Sequence, residues 1–200
     1  TQQAIRLNTP IALLVKKGSF DNSEVKFLND NKKILGELSR EEAISIIIQN
    51  ISKDSIVVSS TGMISRELYE QRDKLKQDKS KDFLTVGSMG HASQIALGIA
   101  RSKPKKNIIC LDGDGAAIMH LGGLTTIGTC KEINLFHIIL NNGAHDSVGG
   151  QPTVGNKISF TSIAKACCYD KVLGPFIKEA DIIDALKHLD KENGKRLLEI

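Results

Sequence analysis

The sequence predicts an α/β protein built on a doubly wound, mostly parallel sheet with helices on both faces. Three observations point there. Segments of strand character alternate with segments of helical periodicity along most of the chain. The strand segments, such as Ile108–Leu111 and Leu135–Leu140, are near-continuous apolar runs, which is how strands covered on both faces read. The residues that follow these strands are small, polar or glycine, as expected where ligands bind outside the carboxyl ends of such a sheet.

Each element has its own justification. Ser39-Arg-Glu-Glu42 is a capping box, in which Ser39 and Glu42 satisfy N–H groups left free at a helix start. The helix it opens carries an apolar stripe on Ala43, Ile46, Ile47 and Ile51. Ile56-Val57-Val58 is a short β-branched strand. A helical stretch at Arg66–Gln71 follows, then a second strand at Phe83–Val86. Ile95–Ala100 is the apolar face of the next helix, and Ile108–Leu111 is the third strand. Ala116–Thr129 reads as one glycine-rich helix, and Leu135–Leu140 as the fourth strand. Helix Phe160–Cys168, strand Lys171–Leu173, helix Asp181–Leu189 and the strand-like run Arg196–Ile200 complete the pattern.

Residues 1–15, ending in the apolar run Ile11–Val15 that reads as a strand, are expected to be the tail of a preceding domain. Residues 16–37 turn polar and suit a linker, and residues 38–200 are expected to form the working domain. Opening in mid-pattern and closing on a strand, the chain reads as a piece of a larger protein or one subunit of a two-chain enzyme.

Composition narrows the function classes. A chain of 200 residues, 40% hydrophobic and 25% charged, has the make-up of a soluble globular domain with room for a core. The net charge of +4 is mild. The lysine groups Lys74, Lys76, Lys79, Lys81 and Lys103, Lys105, Lys106 have no aromatic residues between them and suit solvated helix ends, so no nucleic-acid partner is expected. No apolar run approaches the ~20 residues that span a bilayer, so no membrane partner is expected either. Cys110, Cys130, Cys167 and Cys168 show no C-x-x-C spacing, which suits a reduced, cytoplasmic protein.

The loops after the strands carry the chemistry. They are Ser59-Ser-Thr-Gly62, Gly87-Ser-Met-Gly-His91, Asp112-Gly-Asp-Gly115 and Asn141-Asn-Gly-Ala-His-Asp-Ser147. Gly113 and Gly115 let backbone N–H groups approach an anion, and a helix start follows. A carboxylate there repels a phosphate unless a hard cation lies between them. Magnesium suits this, bound by one or two protein oxygens and by phosphate, with Asn142 as an uncharged oxygen ligand from the next strand. Turn chemistry explains Asp-Gly or Asn-Gly singly; it does not explain the pair.

With Gly113-Asp-Gly115, then 25 residues, then Asn141-Asn142 after an apolar strand, the chain resembles the thiamine-diphosphate enzymes. The resemblance implies that Asp114, Asn142 and the Ala144 carbonyl bind Mg2+. It implies that Gly87-Ser88-Met89-Gly90 holds the cofactor folded, with Met89 wedged between its rings and the Gly87 carbonyl accepting from its 4′-amino group. Thr61 and Gly62 would reach the diphosphate from the other side, and the N–H groups of Gly115 and Ala116, beside Gly113, would bind it. Within the family the chain is similar to the phosphonopyruvate and sulfopyruvate decarboxylases. The carrying segments are Ser60–Leu68, Asp82–Ser93 and Asn141–Thr153.

This resemblance implies a lyase that decarboxylates a three-carbon 2-oxo acid bearing a tetrahedral oxyanion on C3: phosphonopyruvate to phosphonoacetaldehyde and CO2, as in phosphonate biosynthesis, or the sulfonate analogue. It implies a homo-oligomer in which a pyrimidine-binding domain of the same enzyme supplies the other half of each cofactor site, so the chain by itself is expected to be inactive. His91 and His145 are the candidate catalytic residues, since imidazole titrates near neutral pH. His120 suits packing or capping, while His137 and His188 are expected to be structural. Arg66 is the best-placed arginine for the C3 oxyanion, with a surface salt bridge as its plainer role. Gly149-Gly150-Gln151 is a candidate turn over the substrate. Two rivals are weaker. A 2-oxoacid:ferredoxin oxidoreductase subunit needs iron–sulfur cysteine spacing, which is absent. A non-catalytic nucleotide-binding module leaves the Asn141-Asn142 loop without a purpose.

Overall fold

The apolar run Ile11–Val15 does not form the expected strand. In the computed structural model, which describes residues 2–19 and 38–200, it has no regular structure and follows a short helix, α1 (Gln2–Leu7). Leu13 and Leu14 are exposed. An isolated apolar run has no neighbouring strand to complete a ladder, and hydrophobicity alone does not supply one. Lys16–Ser19 closes a turn through the Ser19 N–H and the Lys16 carbonyl at 3.1 Å. The rest of the expected linker, residues 20–37, lies outside the described residues. The chain divides into two units, residues 1–32 and 33–200.

In the second unit the capping box forms as predicted. The Ser39 hydroxyl accepts the N–H of Glu42 at 3.2 Å, and the Glu42 carboxylate accepts the N–H of Ser39 at 2.8 Å. The helix so capped, α2 (Arg40–Asn50), buries Ala43, Ile44, Ile46, Ile47 and Ile48. Ile44 and Ile47 are fully buried, each contributing roughly 1.5–3 kcal/mol. Then come β1 (Ile56–Ser59), α3 (Met63–Lys74), β2 (Asp82–Leu84), α4 (Ala92–Ser102) and β3 (Ile108–Gly113). They are followed by α5 (Asp114–Met119), α6 (Gly123–Thr129), β4 (Leu135–Leu140), and the short pair β5 (Ala144–His145) and β6 (Gln151–Pro152). The unit ends with α7 (Phe160–Ala166), β7 (Lys171–Leu173), α8 (Glu179–Leu189) and β8 (Lys195–Glu199).

Six strands form one parallel sheet in the order β2-β1-β3-β4-β8-β7. The alternating residues of each strand feed two cores. Val57, Ile109, Leu111, Phe136, Ile138 and Leu198 pack against α2, α3 and α8. Val58, Ile108, Cys110, Leu135, Ile139 and Leu197 pack against α4, α6 and α7. The predicted doubly wound architecture is therefore the observed one, with β1 and β3 flanking the point where strand order reverses.

Two elements differ from expectation. The strand expected at Phe83–Val86 stops at Leu84: the Thr85 N–H makes the last ladder bond, to the Ser59 carbonyl at 3.3 Å, the Thr85 hydroxyl bonds the same carbonyl at 2.7 Å, and Val86 beyond it is exposed. The single helix expected at Ala116–Thr129 is two helices, broken at His120–Gly122. The Gly123 N–H bonds to the His120 carbonyl at 2.8 Å, and Gln94 donates to the Gly123 carbonyl at 3.1 Å. The Gln94 side chain fills the space where a Cβ on residue 123 would stand.

Candidate functional site

Parallel pairing aligns Gly113 of β3 with Leu140 of β4. The next residues, Asp114 and Asn141, therefore leave the sheet side by side, and the two loops separated by a whole β–α–α–β crossover meet. They border a cleft of about 170 Å³ at the carboxyl ends of β1, β3 and β4.

Asp114 is 2% exposed, and its carboxylate accepts from the Thr153 hydroxyl. That hydroxyl in turn accepts the Gly155 N–H at 3.0 Å. Burial holds the Asp114 carboxyl above the usual range; the Thr153 hydroxyl, the Gly115 N–H and nearby His145 pull it back down. Carbon cannot be added around it. A Cβ on residue 155 would stand 2.6 Å from the Asp114 carboxylate, and one on residue 115 would stand 2.4 Å from the His145 ring.

Asn142 lies at the mouth of the same cleft. Its amide nitrogen donates to Asp146 at 2.7 Å, and its oxygen accepts the Ala144 N–H at 3.1 Å. Asp146 is held by Arg40 at 2.7 Å, and Arg40 also grips both oxygens of Glu67 at 2.8 Å. Bonding to Glu67 raises the Arg40 guanidinium further above its ordinary value. Asn141 points the other way, donating to Glu199 at 3.0 Å and to the Gly155 carbonyl at 3.2 Å.

The structure gathers most of the sequence-predicted residues around this cleft. Thr61, Met89, Gly113, Asp114, Gly115 and Ala116 line it, as do Asn142, Ala144 and His145. Thr61 accepts the Gly87 N–H at 3.0 Å, tying the β1 loop to the loop after β2. Gly87, Gly90 and Ser88 all have positive φ, the conformation that glycine adopts freely. This sharp loop leaves Gly87 and Ser88 exposed and Met89 half-buried against the cleft. Gly62 sits beside it, against Ser147.

Two predicted residues fall elsewhere. His91 is exposed at the start of α4 and does not line the cleft; its Nδ1 is 3.2 Å from the Ser88 carbonyl, and its ring is 4.1 Å from that of His120. Arg66 is on the solvent face of α3, with the Met63 sulfur 4.0 Å away. Helical phase turns residue 66 outward while Ile64, Ser65, Glu67 and Leu68 turn in. Among the described residues, the lysine or arginine that does line the cleft is Arg40. Thr153, Asp146, Arg40 and Glu199 were missed in the sequence. Thr153 and Asp146 lie within the Asn141–Thr153 segment and were within reach of it; Arg40 and Glu199 arrive through tertiary packing alone.

A parallel α/β domain whose β1, β3 and β4 loops close on one cleft belongs to the doubly wound cofactor-binding class. More narrowly, the chain belongs to the thiamine pyrophosphate enzymes: residues 60–200 match that family's C-terminal, TPP-binding domain. It is 39% identical over 134 residues to a phosphonopyruvate decarboxylase of Streptomyces viridochromogenes, covering 67% of this chain and 32% of that protein. It is 37% identical over 141 residues to the sulfopyruvate decarboxylase subunit beta of Methanocaldococcus jannaschii, covering 70% of this chain and 72% of that one. The chain thus spans about a third of the length of the phosphonopyruvate decarboxylase it matches. Its fold is that of the thiamine diphosphate-dependent 4-hydroxybenzoylformate decarboxylase of Rhodococcus jostii, with a TM-score of 0.66 at 20% identity over 82% of this chain and 32% of that one. The family's cofactor is thiamine pyrophosphate, the thiamine diphosphate named above.

Proposed function

We propose that this chain is the diphosphate- and magnesium-binding part of a 2-oxo acid decarboxylase that converts phosphonopyruvate to phosphonoacetaldehyde and CO2. The observation that carries the proposal is the register of Gly113 with Leu140, which brings the Asp114 and Asn142 loops to one cleft. The residues fit the group. Asp114 is a desolvated carboxylate opposed, among the described residues, by the Thr153 hydroxyl, by the N–H groups of Gly115 and of Asp114 itself, and by His145, so a divalent cation supplies the missing counter-charge.

In this reading Asp114, the Asn142 oxygen and the Ala144 carbonyl hold Mg2+. Asp146, fixed by Arg40, keeps the Asn142 nitrogen turned away so that the oxygen is the ligand atom. Thr61, Gly62, Gly113, Gly115 and Ala116 surround the diphosphate, while Gly87, Ser88 and Met89 hold the organic rings. The bound cofactor supplies the electron sink for loss of CO2. His145, packed on Gly115 at the cleft, is placed to move a proton at the substrate; His91 lies outside the cleft. The pyrimidine-binding domain of the same enzyme would complete the site in an oligomer, with residues 1–15 as the tail of a preceding domain.

Calorimetric titration of the full chain with thiamine diphosphate tests the site. Binding is expected to require Mg2+, and Asp114→Asn is expected to weaken the magnesium-dependent part at least ten-fold with an unchanged circular-dichroism spectrum. Undiminished binding by that variant would remove Asp114 as the ligand. One observation favours a second substrate: the sulfopyruvate decarboxylase subunit beta is matched over 72% of its length, against 32% for the phosphonopyruvate enzyme. Steady-state decarboxylation of both acids by the chain assembled with its pyrimidine-binding half decides. A higher kcat/KM for sulfopyruvate would transfer the assignment to the sulfonate.

A further inference from the structure

On the face of the sheet packed against α4, α6 and α7, three polar side chains meet beneath the Asp114 loop. Cys110 and Asp112 are two apart on β3 and so point to the same face, and Cys110 is the register partner of His137 on β4. We propose that Cys110, Asp112 and His137 form a second, buried metal site for a divalent cation of the zinc class. The proposal is independent of the cofactor assignment above.

One sulfur, one carboxylate oxygen and one ring nitrogen lie within 4.8 Å of one another. All three residues are 1% exposed or less. Asp112 Oδ2 and His137 Nε2 are 3.4 Å apart, and neither makes a hydrogen bond. Two polar atoms left without partners in an apolar layer are costly unless something joins them. Their other atoms are already engaged as ligand-orienting groups would be. Asp112 Oδ1 accepts the Gly113 N–H at 3.1 Å, and His137 Nδ1 lies 3.4 Å from the Tyr169 hydroxyl. A proton on Nδ1 shared with Tyr169 leaves the Nε2 lone pair facing Asp112 and Cys110, the arrangement in which histidine binds a metal.

The charges also balance. A divalent cation with one thiolate, one carboxylate and one neutral imidazole is neutral overall, which suits a site without water around it. Burial, with Asp112 adding to it, holds the Cys110 thiol well above its ordinary value. Binding therefore displaces the S–H proton to solvent as the metal–sulfur bond forms. Zinc-class bond lengths of roughly 2.0–2.3 Å require the three ligand atoms to draw together by up to about 1 Å. Sulfur and nitrogen donors select against magnesium, so the ion differs in kind from the one assigned to Asp114. Held there, it would staple β3 to β4 at the base of both loops.

Cobalt substitution of the full chain reads the site directly. The chain, stripped with chelator and titrated with Co2+ alone, is expected to bind one equivalent with an intense near-ultraviolet sulfur-to-metal band. Cys110→Val, close in volume, is expected to abolish the band, and His137→Leu to weaken Co2+ binding more than ten-fold; Asp114→Asn should leave the band intact. Absence of the sulfur band in the unsubstituted chain overturns the proposal, whatever the variants do. So does a band that survives Cys110→Val.

Discussion

Glu199 is 3% exposed at the end of β8, with one oxygen bonded to Asn141 and the other without a hydrogen-bond partner. Burial holds its carboxyl above the usual range, and the charge of Asp114 adds to the effect. A raised carboxyl favours the folded state while protonated, so this contribution is full below the unfolded value and is lost as pH rises through the folded one. Glu199→Gln keeps an acceptor for Asn141 and cannot ionise. Its melting temperature relative to the parent, measured without magnesium, is therefore expected to rise as pH increases above the ordinary glutamate value of about 4; a constant difference would show that Glu199 does not titrate over the range measured. At this scale the sequence disclosed Asp114, Asn142 and Met89, because each sits in a loop of distinctive glycine spacing. It hid Arg40, whose role depends on helix α2 lying beside α3 and on a loop more than a hundred positions away. It left Arg66 between the substrate and the helix surface, since a motif assigns a residue to a helix without fixing which way that helix is turned.

Periodicity found every strand of the main sheet, and within residues 38–200 the errors lie where glycine or a side-chain bond overrides it. Gly122 and Gly123 break what reads as one helix, and β2 ends at its last pairing with β1, where the Thr85 hydroxyl also bonds the Ser59 carbonyl. Neither is visible in an apolar count, because both depend on a partner distant in sequence. Packing between helices places a further demand. A Cβ on residue 128 in α6 would fall 1.6 Å from the Cys167 carbonyl oxygen at the end of α7. Backbone cannot rotate aside as a side chain can, so α6 and α7 would have to separate. Gly128→Ala is expected to lose at least about 1–3 kcal/mol, read as a lower urea midpoint; a midpoint within experimental error of the parent would mean that the two helices are free to shift.

Across the whole molecule, the carboxyl rim of the sheet holds the cleft, and the amino rim is fastened by a buried cation. Arg196 is 0% exposed and donates to the Leu189 carbonyl at 2.6 Å, to Asn107 at 2.7 Å and to Asn134 at 2.5 Å, with the Phe136 ring at 5.2 Å. Burial brings its guanidinium down to about 10, which leaves it charged at neutral pH. Arg196→Leu would strand three acceptors, two of them buried, and is expected to cost on the order of 3 kcal/mol, seen as a fall in urea midpoint at an unchanged slope. A loss below about 1 kcal/mol would mean that water replaces the guanidinium. Nothing in the sequence marked this residue, because an arginine in a strand-like run reads as an edge until its neighbours are known. Separating the rims has a practical side. The turn from Ser102 to Lys106 is exposed at the amino end of β3, a strand's length from the residues that would meet cofactor or a neighbouring domain. A dye coupled at Lys105 could follow assembly by fluorescence while leaving the opposite rim untouched, so the same geometry that concentrates chemistry on one edge makes the other a place to attach a reporter.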